Sequence, residues 1–559
     1  MKKKMLSMLL LAALLIGLIS GCGGEAAQEN ATSEAASSVA IESAVEAPAE
    51  EVPAQKTPIE VSALEDSAEL EAVNLTVELP LVDEPTTITY WAGGWDGNEY
   101  GLNDPNEIFM TQEYEKRTGI HVEYTTCSFD ANAEQASLMF ASGDYNDMLP
   151  INYTGGLEKG VEDGVYLDLT DMVEEEAPNY TALRNSDASV YKDSMTDNSK
   201  IIAIYEISKT IQPAWYGLLC RADYLEEVGM DVPVTYDDMF EVLSAFKSEL
   251  GLTNAYQLSS TGYSVLGNCM MAGFDVTQEW YQVDGEVKYG PITDNFKQYL
   301  ETMNKWYEAG LISEDFDAAS PFDTADIMNG NTGVFAGDYT SCTNYALTME
   351  DGARVIAIPE PIVNEGDTIH VGQFNTRAAG VGVCISATCE NPELVLNFLD
   401  YAYSEEGSLL CNYGVEGETF EYNENGEPVL SEIITANPDG LTFKQALSKY
   451  LEMGPGVSLY DWERELNGLN QDSIDALEIW YHDGAHLYPE KATPSDEEGE
   501  EISAIMSDIE THVSTMILQF ITGETSFDEW DSYVSYIEDS GIEDAIALKQ
   551  TVLDRYNSR

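Results

Sequence analysis

The sequence predicts an α/β protein of two lobes, carried behind a leader and a polar tether. Three observations lead there. From Thr86 the chain alternates strand-like and helix-like segments. The stretch after Pro80, about 475 of the 559 residues, is too long for one small core, so length alone argues for two or more lobes. A hydrophobic content of 44% is ordinary for a folded chain, and 10% aromatic with 32 Tyr is generous.

Lys2, Lys3 and Lys4 precede an apolar run from Leu6 to Ile19. That run is shorter than the roughly 20 residues a spanning helix requires, and suits a signal peptide. It ends in Ile19-Ser20-Gly21-Cys22, which resembles the lipobox of bacterial lipoproteins. Residues 1–21 are therefore expected to be a signal peptide, and Cys22 the lipidated residue that becomes the new N-terminus. Residues 22–80 are mostly Ala, Glu, Ser, Val and Pro. Lys56 is the only basic residue between Gly23 and Pro80, and no aromatic precedes Tyr90. Such a segment buries too little apolar surface to offset its ordering entropy, so an extended, disordered acidic tether is expected. No later run is apolar and long enough to span a membrane.

The chain carries 25 Lys+Arg against 101 Asp+Glu, a formal charge of -76. Nucleic-acid binding needs basic patches that release counterions, so this partner is excluded. A polyanionic ligand is disfavoured too, since no basic cluster stands out. Beyond Cys22 there are seven cysteines: Cys127, Cys220, Cys269, Cys342, Cys384, Cys389 and Cys411. Their scatter fits neither a disulfide framework nor a zinc or redox spacing; they read as small buried hydrophobes.

Thr86 to Trp91 alternates as a strand and leads into the glycine-rich Ala92–Gly97. Ile108 to Thr118 reads as a helix stopped by Gly119, then Ile120 to Tyr124 as a strand, Ala133 to Ser142 as a helix and Met148 to Ile151 as a short buried strand. This βαβα order favours a mostly parallel sheet. A second α/β stretch follows Ile201 to Glu206, with a strand at Trp215 to Cys220 and a helix from Arg221 closed by Gly229. Thr235, with Asp238 three residues on, reads as a capping box. Asn391 is expected to cap a helix from Pro392 to Tyr403. The last hundred residues read as largely helical.

Several segments, in order, resemble family 1 extracellular solute-binding proteins, specifically the Gram-positive lipoprotein branch of ABC sugar importers. They are Ala141-Ser142-Gly143-Asp144-Tyr145-Asn146-Asp147; Glu162-Asp163-Gly164 through Asp168-Leu169-Thr170; Arg221-Ala222-Asp223-Tyr224-Leu225 through Pro233-Val234-Thr235; Glu308-Ala309-Gly310-Leu311-Ile312; Asn391-Pro392-Glu393 through Gly417; and Phe520-Ile521-Thr522-Gly523 through Trp530. The resemblance implies a two-lobed periplasmic-binding-protein-like fold of type II, with the ligand in the cleft between the lobes and closure by hinge bending. The lobes are placed at 81–205 with about 360–435, and at 206–359 with about 436–559. It further implies a monomer that captures an oligosaccharide and delivers it to the transmembrane subunits of an ABC importer. The protein would be lipid-anchored through Cys22 on the outer face of a Gram-positive cell membrane and would perform no chemistry. Many relatives carry a calcium-type loop after the helix that follows Pro-x-Thr. Here Gly251-Leu252-Thr253-Asn254-Ala255-Tyr256 lacks the carboxylates for about six to eight oxygen ligands. No metal and no cofactor are expected.

A secreted glycoside hydrolase is the rival outside the binding class, and a binder of peptides, phospho-compounds or another small solute the rival within it. A carboxylate pair at hydrolase separation is uninformative in so acidic a chain. His482 and His486, four apart but broken by Gly484, make a poor metal helix. Arg221 and Arg377 are the cations to consider for a phosphate, Arg221 being part of a fold motif. A pyranose presents an apolar face and a rim of hydroxyls, so loop aromatics beside polar groups are the candidate site. They are Trp91, Trp95 and Asp96 around the first loop, Asn152 and Tyr153 after the short strand, and Glu206 at the first hinge crossing. Trp215 and Tyr216 enter the second lobe, Asp338 and Tyr339 follow a later strand, and Trp462 sits in a Tyr-Asp-Trp loop. Trp306 and Trp530, in helix-like motifs, are assigned to the core.

Overall fold

The computed structural model describes residues 69–72, 75, 78–211, 214–259, 268–318, 324–349, 352–373, 376–378 and 380–559, without the side chains of Asp130, Asn268 and Asp496. The expected signal peptide, Cys22 and most of the expected tether lie outside the described residues.

Eight strands frame the molecule: β1 Thr86–Gly94, β2 Ile120–Cys127, β3 Met148–Pro150, β4 Ala203–Tyr205, β5 Tyr216–Arg221, β6 Val334–Asp338, β7 Val355–Ile358 and β8 Gly382–Ile385. The first sheet has the order β2-β1-β3-β8-β4. β2 and β3 both run parallel to β1, and β8 runs antiparallel to β3 and to β4. The parallel part is what βαβα order dictates. β8 is inverted because the chain returns to this sheet from the other lobe. The second sheet is β7-β5-β6, with both outer strands antiparallel to β5. The mostly parallel sheet expected from the opening segments is thus confined to three strands of one lobe.

Strand alternation builds two apolar faces per sheet. Ile88, Val122, Val383 and Ile385 join Tyr114, Val395, Leu399 and Leu410 in one core, while Trp91, Leu149, Tyr205 and Cys384 pack on the opposite face with Met139 and Tyr166. In the second lobe, Leu218, Cys220 and Ile358 meet Met239, Phe246, Tyr256, Trp306, Ile509, Phe520 and Trp530. Leu219, Phe335 and Val355 pack on Trp480, whose indole N–H donates to the carbonyls of Leu218 (3.1 Å) and Ile358 (3.2 Å). Gly217 is required there, because a Cβ at that position would enter the Trp480 ring. Trp306 and Trp530 are core residues, as their motifs suggested.

Helix ends follow local chemistry. The Thr235–Asp238 capping box is present, and Gly119, Gly143 and Gly229 end their helices in the left-handed conformation open to glycine. Asn391 differs from expectation. Its side chain caps nothing, and Pro392 begins the helix unaided. Within that helix the buried Asp400 accepts from Asn179 Nδ2 (2.7 Å) and the Tyr180 amide (2.8 Å), and burial raises its carboxyl to about 6.

The packing moves two lobe boundaries. Ile369 and Val371 still belong to the second core, and Ala378 is the first residue back in the first lobe. The return is therefore near 373–377, not 360. Ala446, Leu447, Leu451, Val457 and Leu459 all lie in the first core, and Ala476 and Trp480 in the second. The last crossing thus follows Leu459 rather than residue 436, because the amphipathic helix Phe443–Tyr450 buries its apolar stripe against the first lobe.

Three segments therefore cross between the lobes, and they are laced together. Ile207–Ser208 pairs in parallel with Leu459–Tyr460. The Ser208 amide donates to the Arg377 carbonyl (2.8 Å), and Arg377 Nη1 donates to the Lys209 carbonyl (2.8 Å). Arg377 is 2% exposed and its Nε lies 3.5 Å from the wholly buried Asp187. Losing one partner of a buried pair leaves an uncompensated charge. Arg377→Ala is expected to lower the unfolding free energy by about 3–5 kcal/mol in chemical denaturation; a loss under about 1 kcal/mol would show that the arginine does not hold the crossings.

Candidate ligand-binding cleft

The first wall of the cleft grows from the ends of β1 and β2. Beyond Gly94 the chain turns through Trp95 and Asp96 into the short helix Gly97–Tyr100. Gly97 lies flat against the Trp95 indole, where a Cβ would overlap the ring. Phe129, in the turn after β2, stands 66% exposed across Gly94. The helix Phe443–Tyr450 and the turn after it contribute Lys444, Gln445, Ser448, Glu452 and Met453. Together these residues enclose a cavity of about 380 Å³. A second cavity of about 380 Å³ is lined by Trp215, Asp338, Tyr339 and Thr340 from the second lobe, Tyr460 and Glu465 from the third crossing, and again Lys444. Lys444 belongs to both, so the cavities are adjoining parts of one cleft.

The polar groups of this cleft are mostly tied to one another. Lys444 Nζ lies 2.7 Å from Glu452 Oε1, and Ser448 Oγ donates to Glu452 Oε2 at 2.5 Å. Burial opposes both charges, yet the lysine pKa is raised and the glutamate pKa lowered by their mutual attraction. Glu465 accepts from the hydroxyls of Tyr460 (2.6 Å) and Tyr339. Arg464 lies over the Tyr460 ring at 5.0 Å and donates to the carbonyls of Cys411 (3.2 Å) and Asn412 (3.3 Å). The Trp95 indole N–H is shielded and makes no hydrogen bond of ordinary geometry. Tyr100 beside it is raised to about 12, by burial first and then by Glu452 and the nearby Asp96 and Glu99.

A family model described as bacterial extracellular solute-binding protein matches residues 105–408, just over half of the chain. The chain belongs to this family. Among curated relatives of this solute-binding protein, the fructooligosaccharide ABC transporter substrate-binding protein FusA of Streptococcus pneumoniae serotype 4 is 23% identical, over 81% of this chain and 88% of the relative. Lipoprotein LipO of Bacillus subtilis is 26% identical, over 78% and 84%. Among solved structures, an HMO-binding ABC-transporter-associated solute-binding protein of Bifidobacterium longum infantis superposes with a TM-score of 0.69 at 18% identity, over 85% of this chain and 99% of that one. That likeness concerns the two-lobed fold.

Within this solute-binding protein, Trp95, Asp96, Trp215, Asp338 and Tyr339 are brought together along the cleft. Glu206 lines neither cavity but sits near Glu465, Glu452 and Lys444, which do. It follows β4, and no hydrogen bond to its carboxylate is found among the described residues. Burial raises its pKa to about 7; the nearby Glu465 and Glu452 act the same way, while Arg464 and Lys444 oppose. Trp91 is not a cleft residue: β1 continues to Gly94, so Trp91 points into the sheet's inner face and is 7% exposed in the core. Trp462 is also displaced from the cavities; its indole N–H donates to Thr210 Oγ1 (2.8 Å) and props the first crossing. Asn152 is exposed. Tyr153 packs edge-on to Phe140 and Tyr166 and donates to Asp163 (3.0 Å). Tyr216 packs on the second core, its ring 4.9 Å from that of Trp215. Arg221 forks onto Asp223, and Arg377 is buried at the crossings, so neither is offered to a phosphate.

Several cleft residues escaped the sequence reading, among them Tyr100, Phe129, Lys444, Glu452, Tyr460 and Glu465. Phe129 was findable by the rule that selected Trp95, a loop aromatic just past a strand. Lys444 and Glu452 were not, since a lysine on an amphipathic helix and a glutamate just past its end carry no mark apart from the other charged residues of the chain. Among the described residues, no group of three or more His, Cys, Asp or Glu side chains is arranged to hold a metal, and no helix is long and apolar enough to cross a membrane. His482 meets Glu360 (3.1 Å) and His486 meets Asp275 (2.7 Å). The cysteines at 127, 220, 269, 342, 384, 389 and 411 are free thiols.

Glu206 predicts a pH dependence. The folded state binds its proton more tightly than an unfolded carboxyl near 4.5. Its contribution is therefore fully present below about pH 4.5 and is lost as pH rises to about 7. Relative to Glu206→Gln, the unaltered protein should lose at most about 3 kcal/mol of stability over that rise, measured by urea unfolding at several pH values. Parallel stability curves would show that Glu206 is solvated like a surface carboxylate.

Proposed function

We propose that this solute-binding protein captures a neutral oligosaccharide between its lobes and delivers it to the permease of an ABC importer, without chemical conversion. The observation that carries the reading is the lining of the cleft. Trp95, Phe129 and Tyr100 on one side and Trp215 and Tyr339 on the other offer flat apolar faces, with Asp96, Asp338, Gln445 and Thr340 beside them for hydroxyls. Neutrality is supported by charge. Lys444 is the one cation lining these two cavities and is already paired with Glu452, against Asp96, Glu99, Asp338, Glu452 and Glu465. An anionic ligand would meet an unfavourable field and no free counter-charge. The fructooligosaccharide-binding relative supports the same class.

Two lobes contributing to one site suit a binder that closes on its ligand. The ligand shifts the lobe equilibrium only by its differential affinity for the closed form. Calorimetry against a glycan panel that includes kestose should give binding to at least one neutral oligosaccharide, with no sugar released on incubation. Trp95→Ala should weaken that binding by about 1–3 kcal/mol with little change in unliganded melting temperature. Binding of peptides alone, with no response to any sugar, would remove the saccharide reading.

The same proposal places the protein at the membrane through a lipid on Cys22, for which the lipobox-like residues 19–22 and the lipoprotein relative are the support. Cys22→Ala should release the protein from cells into the medium; continued membrane association of that variant would refute the anchor.

A further inference from the structure

The last helix, Ile542–Asn557, belongs to the second lobe, where Val552 and Leu553 pack with Val287 and Ala492. Its final turn nevertheless lies on the first lobe. Asp197, just after the helix Ala188–Asp193 of that lobe, accepts from Arg555 Nε on one oxygen (2.5 Å) and from Arg559 Nε (2.8 Å) and Nη2 (2.5 Å) on the other. The Arg559 side chain is 3% exposed and donates further to the carbonyls of Met195 (2.8 Å) and Lys491 (2.8 Å). Between the two arginines, the Tyr556 hydroxyl donates to Asp193 Oδ1 (2.7 Å), and the Lys192 ammonium sits 3.9 Å over its ring. The remaining donors of Arg555 fork onto Glu498 (2.9 and 2.7 Å), at the start of the second-lobe helix Asp496–Thr522.

This contact stands apart from the three crossings. A cavity of about 690 Å³ is lined by Tyr205 beside the first crossing and by Asp197, Arg555 and Arg559. The void therefore lies between the contact and the hinge. Rotation of the lobes about the crossings must displace any contact that lies off them. Here the displacement would strip two guanidinium groups from a mostly buried carboxylate and leave Arg559 without partners in the first lobe.

We propose that Arg555, Tyr556 and Arg559 form a latch on Asp193 and Asp197 that holds the lobes in the arrangement described here and must release before they swing apart. The latch sets the resting lobe equilibrium. It thereby determines how much of a ligand's interaction with the cleft is consumed in reorienting the lobes, and hence the apparent affinity. The cavity beside it shares no lining residue with the cleft around Trp95 and Trp215, and the latch depends on no assumption about which solute is bound.

Spin labels at the exposed Ser137→Cys of the first lobe and Glu301→Cys of the second, with the half-buried thiols removed by Cys127→Ser and Cys389→Ser, report the interlobe distance in unliganded protein. The protein with its latch intact should give one narrow distribution. Asp197→Asn and Arg559→Gln should each broaden it and add a population at longer distance, with circular dichroism unchanged. An unchanged or shortened distance in both variants overturns the latch. Tyr556→Phe, a milder change, should shift the distribution in the same direction to a lesser degree. In the unaltered protein, native-state hydrogen exchange should show residues 192–198 and 553–558 opening together and below the global unfolding limit. Independent opening of the two segments overturns the proposal as well.

Discussion

The geometry of the molecule depends on how three separate chain segments cross between two lobes without falling apart into independent strands. One buried guanidinium joins them. Arg377 enters with the second crossing, donates to the carbonyls of the first, and faces Asp187, which itself caps the helix Ala188–Asp193 of the first lobe. The third crossing is added by strand pairing of Leu459–Tyr460 with Ile207–Ser208. Arginine suits the position because its planar fork can satisfy several acceptors at once and stays charged when buried. A hinge built from paired backbone and one charged keystone keeps its residues in register while the lobes it joins can still rotate.

The cleft follows from where the strands end. The loops that follow β1 and β2 line one part of the gap, and the start of β5 and the end of β6 line the other. The groups in that gap are unusually interdependent. Glu465 accepts from Tyr460 of the third crossing and from Tyr339 of the second lobe, so one carboxylate already spans hinge and lobe. Glu206 has no such partner among the described residues and sits among Glu452, Glu465, Lys444 and Arg464. With -76 formal charge on the chain, an unpaired half-buried carboxylate is costly to keep ionised. Its raised pKa follows from that setting, with burial as the first cause and the two glutamates adding to it.

Much of this was legible from residue order, and the reasons are local. The alternation in Thr86–Trp91, the glycines at 119, 143 and 229, and the Thr235–Asp238 box act within a few residues, so sequence alone places those strands and helix ends. Trp91 and Trp95 show where legibility stops. Both are tryptophans near the same glycines, and what separates core from cleft is that β1 runs three residues further than its alternation suggests. The lobe boundaries near 360 and 436 were misplaced because a crossing has no composition of its own. It is defined by which core the flanking side chains enter, as Leu447 and Ile369 demonstrate. Lys444 and Glu452 were invisible for a related reason: one exposed-looking lysine on an amphipathic helix resembles any other until the opposing lobe is in place.

The same reasoning explains why the two ends of the lobe interface differ in kind. Around Lys444, Glu465 and Trp215 the contacts are made by long or aromatic side chains at a solvent-open gap, a surface that a ligand can complete. Around Asp197 they are made by short, mostly buried ion pairs with every donor of Arg559 engaged, a surface already complete without a ligand. A cavity lies between the second surface and the hinge, and the ends of β1 and β6 line the first. A protein that must hold its solute firmly yet release it benefits from this asymmetry. If both surfaces were complete, the lobes would not open; if neither were, the ligand alone would have to order two lobes of a large chain, and its affinity would fall by the cost of that ordering.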